Sequence, residues 1–232
     1  MPRFASIAIL LLCLALPVQA EFISPADVDL LALMPPPPAE GSVQAKIDLD
    51  GAWMTQAAAN NPKTQAEARA DVEETVFRFG GGLFGDKFTK ENLPKTAAFF
   101  PKVLADGNAV VDHAKDVWGR ARPCQAHADR ITALLPCPKS ASHPSGHATF
   151  AYEMAVLLSN IVPEKRAELF ERAGYYAQSR VIVGAHYPSD IEAGHLVGTV
   201  TAYAMMQNPA FQQEMAAVKA EIRGTLGYAD LK

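Results

Sequence analysis

Three short blocks of polar residues follow one another in a fixed order. Lys115 precedes Arg122-Pro123 by seven positions, Pro144-Ser145-Gly146-His147 comes next, and Ser179-Arg180 leads to His186 and, four residues later, Asp190. Together they supply three cations, a Ser-Gly pair of the kind that opens a helix, and two imidazoles, one with a carboxylate close by. That is the inventory for holding a tetrahedral oxyanion such as phosphate and transferring it through a histidine.

Each block has its own chemistry. A guanidinium grips two oxygens in parallel and an ammonium acts as a point charge, so Lys115, Arg122 and Arg180 would form the cradle. Taken singly, each could equally be a solvated surface charge. Gly146 lets the backbone come close to a ligand, and the first amides of a helix lack intrahelical acceptors and favour an anion. Ser145 either adds a hydroxyl to that nest or serves only as the N-cap of its own helix. His147, at the mouth of the nest, is suited to protonate a leaving alkoxide, because imidazole titrates near neutrality. The spacing of His186 and Asp190 lets the carboxylate bond one ring nitrogen and leaves the other as an unprotonated nucleophile; the plain alternative is a surface His–Asp pair. His, Cys and carboxylates form no cluster at metal-ligand spacing, so neither a metal nor another cofactor is expected.

The elements that must carry these residues read as helices. Residues 63–79 show helical spacing of apolar side chains, with Gly80-Gly81-Gly82 as the stop. Residues 94–118 continue the pattern, with Pro101 marking a break or a fresh start. A helix over 146–161 is opened by Ser145-Gly146. Another runs from Pro163 towards Val183 and ends at Gly184. Residues 190–206 and 210–223 give two more. No run alternates in the manner of a strand, so the chain reads as all-α, in a single helical domain over 46–232. Residues 21–45 read as an extended N-terminal arm, with Pro35-Pro36-Pro37-Pro38 in polyproline II on the surface.

The bulk properties place the chain. Residues 1–20 read as a signal peptide cut after Ala20: Arg3, the apolar run Ile7–Leu16, then Val18-Gln19-Ala20. The apolar run is shorter than the roughly 20 residues that span a bilayer. Export to the periplasm or beyond is the expected localisation. The net charge of −4 becomes −5 once Arg3 is removed, so the chain lacks the basic footprint of a nucleic-acid binder. Cys124 and Cys137, the two cysteines outside the leader, are expected to pair in an exported protein. The loop they close would be stabilised by about 3 kcal/mol in the chain-entropy picture.

The order Lys-x6-Arg-Pro, Pro-Ser-Gly-His, Ser-Arg-x5-His-x3-Asp resembles the signature of the type 2 phosphatidic acid phosphatase superfamily, which includes bacterial class A acid phosphatases and vanadium haloperoxidases. The Leu33-Met34-Pro35-Pro36-Pro37-Pro38 arm, the leader and the size are similar to the class A acid phosphatases. The resemblance implies a compact multi-helix bundle that hydrolyses phosphate monoesters without metal. Within it His186 is the nucleophile that forms a phosphohistidine, Asp190 orients it, and His147 is the general acid. Lys115, Arg122, Ser145, Gly146 and Arg180 hold the phosphoryl group, with vanadate or phosphate as inhibitors. Dimers or larger assemblies are also implied. His143 stands where the acid phosphatases would have an aromatic residue; it either tunes the proton donor or is a polar wall residue. His113, His127 and His195 have no partner visible in sequence and read as structural or surface residues.

Other readings remain in view. A vanadium haloperoxidase would use the same cradle, but in a longer chain. A lipid phosphatase of the membrane kind would carry several spanning helices. A non-catalytic phosphate-binding protein would need the cations and the nest but not two poised histidines. Leaving-group specificity is expected in loops over 80–100 and 124–142.

Overall fold

A computed structural model describes residues 20–229. The expected signal peptide lies outside the described residues except for Ala20. Ten α-helices follow in order: α1 (Leu30–Leu33), α2 (Val43–Ala58), α3 (Pro62–Ala70), α4 (Val76–Phe84), α5 (Pro94–Trp118), α6 (Pro123–Ala126), α7 (Gly146–Ile161), α8 (Arg166–Ile182), α9 (Pro188–Gln207) and α10 (Pro209–Leu226). No strand occurs among the described residues.

The bundle is built around α7. Twelve of its sixteen residues are buried, so it is covered on all sides, as an apolar helix must be. It packs along most of its length on α8 and α9, with α5, α4 and α10 on its other sides. Close approach to α9 depends on two glycines. A Cβ on Gly194 would lie 2.6 Å from both Ala148 Cβ and the Ser145 carbonyl oxygen, and one on Gly198 would strike the Thr149 carbonyl. This contact sets the start of α7, with the Ser-Gly pair, against the start of α9, with Asp190; Ser145 N–H donates to the Asp190 carbonyl at 3.0 Å.

The structure differs from the sequence reading at four points. The helix read over 63–79 is two helices, separated at 71–75. Buried Asp71 accepts from Arg78 and Arg172, and Thr75 caps a new helix through Arg78 N–H at 3.0 Å. Gly80-Gly81-Gly82 does not stop that helix but lies inside it. Gly80 is a point of close approach, where a Cβ would meet the Phe88 ring at 2.8 Å. Pro101 neither breaks nor starts a helix: α5 runs straight through it. The proline faces solvent while Phe99, Phe100 and Val103 around it are buried. Burial of that face, roughly 1.5–3 kcal/mol per large side chain, outweighs the one backbone bond a proline removes. Residues 21–45 are also not extended throughout. They contain α1, and Phe22, Ile23, Val28, Leu30 and Met34 are buried in the main core. The Phe22 ring meets those of Phe99 and Phe211 at 5.7 and 5.1 Å, tying the segment to α5 and α10.

Glu153 lies in the middle of α7 with 1% exposure. Thr201 Oγ1 donates to it at 2.7 Å, and Gly107 of α5 leaves room for its carboxylate. Burial pushes this carboxyl up to about 8. The folded state therefore holds a proton that the unfolded state releases, and stability falls as pH rises from the ordinary carboxylate range towards about 8. Glu153→Gln should remove this dependence. Its melting temperature should exceed the wild-type value by a few degrees near pH 8, with the gap closing near pH 5. A gap that does not change with pH would contradict the assignment.

Candidate active site

The three blocks converge at the end of the bundle where α7 and α9 begin. Lys115 lies in the last turn of α5, which Gly119 ends in a left-handed conformation (φ 59°). Arg122 is the N-cap of α6. Ser145 and Gly146 open α7, Arg180 is in the last turn of α8, and His186 and Asp190 straddle the start of α9. The segment before His186 is fixed by the loop between Cys124 and Cys137, which are joined in a disulfide. Cys124 N–H and Leu134 N–H donate to the carbonyls of Gly184 and Val183. Gly184 has φ 80°, and a Cβ there would lie 2.6 Å from the Thr132 carbonyl.

His186 and Asp190 are buried at 2% and 0% exposure, so the surface-pair alternative is excluded. The protonation of the imidazole follows from its neighbours. Arg122 Nη1 stands 2.8 Å from His186 Nε2. A guanidinium can only donate, so Nε2 presents a lone pair and the ring proton is on Nδ1. Nδ1 faces Asp190 Oδ2 at 3.4 Å and Ser142 Oγ at 3.4 Å. Burial, reinforced by the charges of Arg122 and Arg180 and opposed by Asp190, pulls the imidazole down to about 3. His186 is thus a neutral base with a fixed tautomer over the acidic range.

Asp190 accepts from every side. Oδ1 takes Arg120 Nη1 at 2.6 Å and His143 Nδ1 at 3.2 Å. Oδ2 takes Ser142 Oγ at 2.5 Å and Tyr187 N–H at 2.9 Å, besides His186. Burial alone would raise this carboxyl, but the bonds from His143 and His186 and the charge of Arg120 hold it well below the usual carboxylate range. It is a permanent anion.

The cations divide into two kinds. All five N–H groups of Arg122 are engaged within the protein: Nε with Ser140 O, Nη2 with Ser140 Oγ and Ala141 O, and Nη1 with Ala185 O and His186 Nε2. Arg180 differs. It is 3% exposed, yet its Nε and Nη1 make no hydrogen bond to any described residue. A buried guanidinium with two unmatched donors is costly unless an anion completes it. Lys115 Nζ lies 3.6 Å from where a Cβ on Gly146 would be and is paired with Asp112 at 3.5 Å. Burial, with the nearby charge of Arg122, draws its ammonium down. Ser145 Oγ accepts from Ala148 N–H at 3.3 Å, so it caps its own helix. The Gly146 and His147 amides remain at the helix start without intrahelical acceptors.

Glu74, Arg120 and Ser142 are site residues that the sequence did not reveal. Glu74 is one of two adjacent acids before Thr75, and no spacing singles it out. Its Oε1 lies 3.3 Å from His147 Nδ1, without the alignment of a hydrogen bond. His147 Nε2 donates to the Val72 carbonyl at 3.2 Å. Burial pushes the Glu74 carboxyl up to about 7 against the pull of Arg180 and Lys115. Burial and Arg180 together draw His147 well below the ordinary imidazole range. His143 reaches Asp190 rather than His147, with the Trp118 ring 5.1 Å away, so any tuning would act through the orienting carboxylate. His195 stacks on Tyr152 at 3.7 Å and His127 meets the Tyr187 ring at 6.2 Å. Among the described residues no group of three or more His, Cys, Asp or Glu is placed to hold a metal ion.

The fold and the site define a helical bundle with buried cations gathered around an unprotonated imidazole nitrogen. Residues 98–214 match the PAP2 superfamily, and the chain belongs to that family. It is 31% identical over 200 residues to the non-specific acid phosphatase of Salmonella typhimurium, covering 82% of this chain and 78% of that protein. It is 27% identical over 207 residues to the non-specific acid phosphatase of Providencia stuartii, covering 84% and 81%. In fold it is similar to a bacterial vanadium-dependent iodoperoxidase, with a TM-score of 0.56 and 19% identity over 83% of this chain and 54% of that one. It is likewise similar to the transmembrane PAP2-type phosphatidylglycerolphosphate phosphatase of Bacillus subtilis, with a TM-score of 0.54 and 17% identity over 79% and 94%.

A ligand that binds only the folded protein at about 100 times its dissociation constant stabilises it by about 2.7 kcal/mol. Inorganic phosphate at that excess should raise the melting temperature by about 5–10 °C. In Arg180→Met most of that rise should disappear, while the variant without phosphate melts at or above the wild type. An undiminished rise in the variant would remove Arg180 from the anion site.

Proposed function

We propose that this protein is an exported acid phosphatase that hydrolyses phosphate monoesters through a phosphohistidine on His186, without a metal ion. The observation that carries this reading is the presence at one end of the bundle of Arg180, buried with two unmatched donor nitrogens, and of the unprotonated Nε2 of His186, which is met only by Arg122 Nη1–H. One is suited to an oxyanion and the other to its central atom. The acid phosphatase relatives and the family membership support the reaction class. The leader-like residues 1–20 and the Cys124–Cys137 disulfide support export. No helix among the described residues is long and apolar enough to cross a membrane.

In this mechanism a phosphoryl oxygen takes the Arg122 Nη1–H in exchange for Nε2, which frees the lone pair. Other oxygens meet Arg180, Lys115 and the Gly146 and His147 amides, so cations and amides neutralise the transition-state charge. Nε2 attacks phosphorus, the ester P–O bond breaks, and Asp190 stabilises the cationic ring through Nδ1–H. The leaving oxygen takes a proton from the Nδ1 side of His147. Because Nε2 of His147 is committed to Val72, the transferable proton is the one that the Glu74 carboxyl carries and, once its Oε1 turns into line from 3.3 Å, shares with Nδ1. Water then attacks phosphorus, the P–N bond breaks, and the water's proton returns to the His147–Glu74 pair.

The test is hydrolysis of p-nitrophenyl phosphate with and without EDTA and vanadate. Turnover that survives EDTA and is inhibited by vanadate supports the reading. No phosphatase turnover, with bromide oxidation once vanadate and peroxide are supplied, overturns it in favour of a haloperoxidase.

The shared proton predicts a pH limb. For alkyl phosphates, which need proton donation, kcat should fall as pH rises through about 7, where Glu74 loses its proton. In Glu74→Gln the fall should move to lower pH, since burial and Arg180 leave His147 a poor holder of a proton by itself. p-Nitrophenyl phosphate, with a good leaving group, should show a weaker limb in both proteins. An unchanged limb in Glu74→Gln would show that the proton comes from elsewhere.

A further inference from the structure

Arg120 touches none of the groups that would meet phosphate, yet it makes the shortest contact to Asp190 Oδ1. It stands in the turn between α5 and α6 with its side chain 10% exposed. Nη1 donates to Asp190 Oδ1 at 2.6 Å and Ser189 Oγ at 2.8 Å, and Nη2 donates to Asp48 Oδ2 at 2.6 Å. The guanidinium lies 4.0 Å from the centre of the Tyr187 ring. Asp48 comes from α2, at the other end of the sequence. It is 4% exposed and accepts from Ser189 N–H at 2.9 Å and Ser189 Oγ at 2.5 Å. One guanidinium thus bridges two buried carboxylates, and both are fastened to the first turn of α9.

The two oxygens of a carboxylate turn together, so fixing Oδ1 fixes the direction of Oδ2. The contact from Oδ2 to His186 Nδ1, at 3.4 Å, is the longest that Asp190 makes. A small rotation of the carboxylate would therefore break it before any other. We propose that Arg120, braced by Asp48, is a positioning residue that sets the rotation of Asp190 and thereby the ring orientation and tautomer of His186, which makes α2 part of the catalytic frame. His143 and Ser142 hold the same carboxylate, but neither reaches a second buried anion. This inference rests on the phosphohistidine reading for its effect on rate, but its geometric part stands apart from that reading.

The experiment compares the wild type with Arg120→Lys, Arg120→Met and Asp48→Asn. It measures kcat and KM for p-nitrophenyl phosphate, the inhibition constant of inorganic phosphate, the melting temperature, and the low-field proton resonance of His186 Nδ1–H. Lysine keeps the charge but cannot reach both carboxylates in the fixed fork of a guanidinium. Arg120→Lys should lower kcat by about 10- to 100-fold, as expected when a reacting group is misplaced. The phosphate inhibition constant should stay within about twofold, and the His186 resonance should shift or broaden away. Asp48→Asn, which leaves Arg120 and Asp190 in place, should do the same to a smaller degree, about 3- to 10-fold in kcat. Arg120→Met should lie beyond Arg120→Lys in every readout where it folds. Arg120→Lys and Asp48→Asn that melt lower but keep both kcat and the His186 resonance would overturn the proposal and make the bridge a structural tie. A kcat loss matched by an equal loss of phosphate affinity would overturn it as well. If the wild type hydrolyses no phosphate ester, the phosphatase reading fails by itself. The resonance then still decides whether Arg120 orients His186.

Discussion

The structure depends on one buried anion. Asp190 has no contact with solvent, and a carboxylate in such a place is tolerable only when surrounded by donors. Its partners come from the turn between α5 and α6 through Arg120, which Asp48 of α2 braces, from the loop before α7 through Ser142 and His143, and from the start of its own helix through Tyr187 N–H. The backbone follows the same logic. Asp190 caps the start of α9 with its side chain and holds the start of α7 with its carbonyl. Gly194 and Gly198, one and two turns further along α9, allow the two helices to approach closely enough for this to happen.

Around that anion the cations sit in surroundings that resist charge. Burial keeps His186 neutral, draws Lys115 and Arg122 down and pushes Glu74 up. Each group is displaced towards its neutral form, and an entering phosphate would relieve the three cations together. The same burial makes acid conditions compatible with the chemistry. In the proposed mechanism, an imidazole that stays unprotonated to about 3 and a carboxyl that keeps its proton to about 7 define a window on the acid side of neutrality. The segment that follows the disulfide loop belongs to this arrangement, because the carbonyls of Ser140 and Ala141 hold Arg122 in the position where Nη1 meets Nε2.

The helices were legible in sequence wherever a cap or a breaker coincided with the apolar pattern. Ser145-Gly146 and Gly184 mark true boundaries. The pattern misled where tertiary packing overrode local preference. Gly80 stays helical because the Phe88 ring needs its face, and Pro101 stays helical because the residues around it are buried on one side. The three blocks were readable because phosphate chemistry demands particular residue types at short spacing. Glu74, Arg120, Ser142 and Asp48 were not, because each acts on a site residue far away in sequence. Asp48 reaches Ser189 across 141 positions, and no local pattern records such a contact. Arg122 was legible as a candidate residue but not in its detail: its donors are all spent within the protein, and only Nη1 reaches His186 Nε2.

The account turns on whether His186 becomes covalently phosphorylated. The most direct measurement is rapid quenching of the protein during turnover of a radiolabelled phosphate ester, followed by analysis of the label on the denatured chain. The account predicts wild-type protein that carries label in an acid-labile, alkali-stable linkage, mapped to the peptide containing His186 and absent from His186→Ala. Label that persists in His186→Ala, or turnover by the wild type with no covalent label at any quench time, would contradict it.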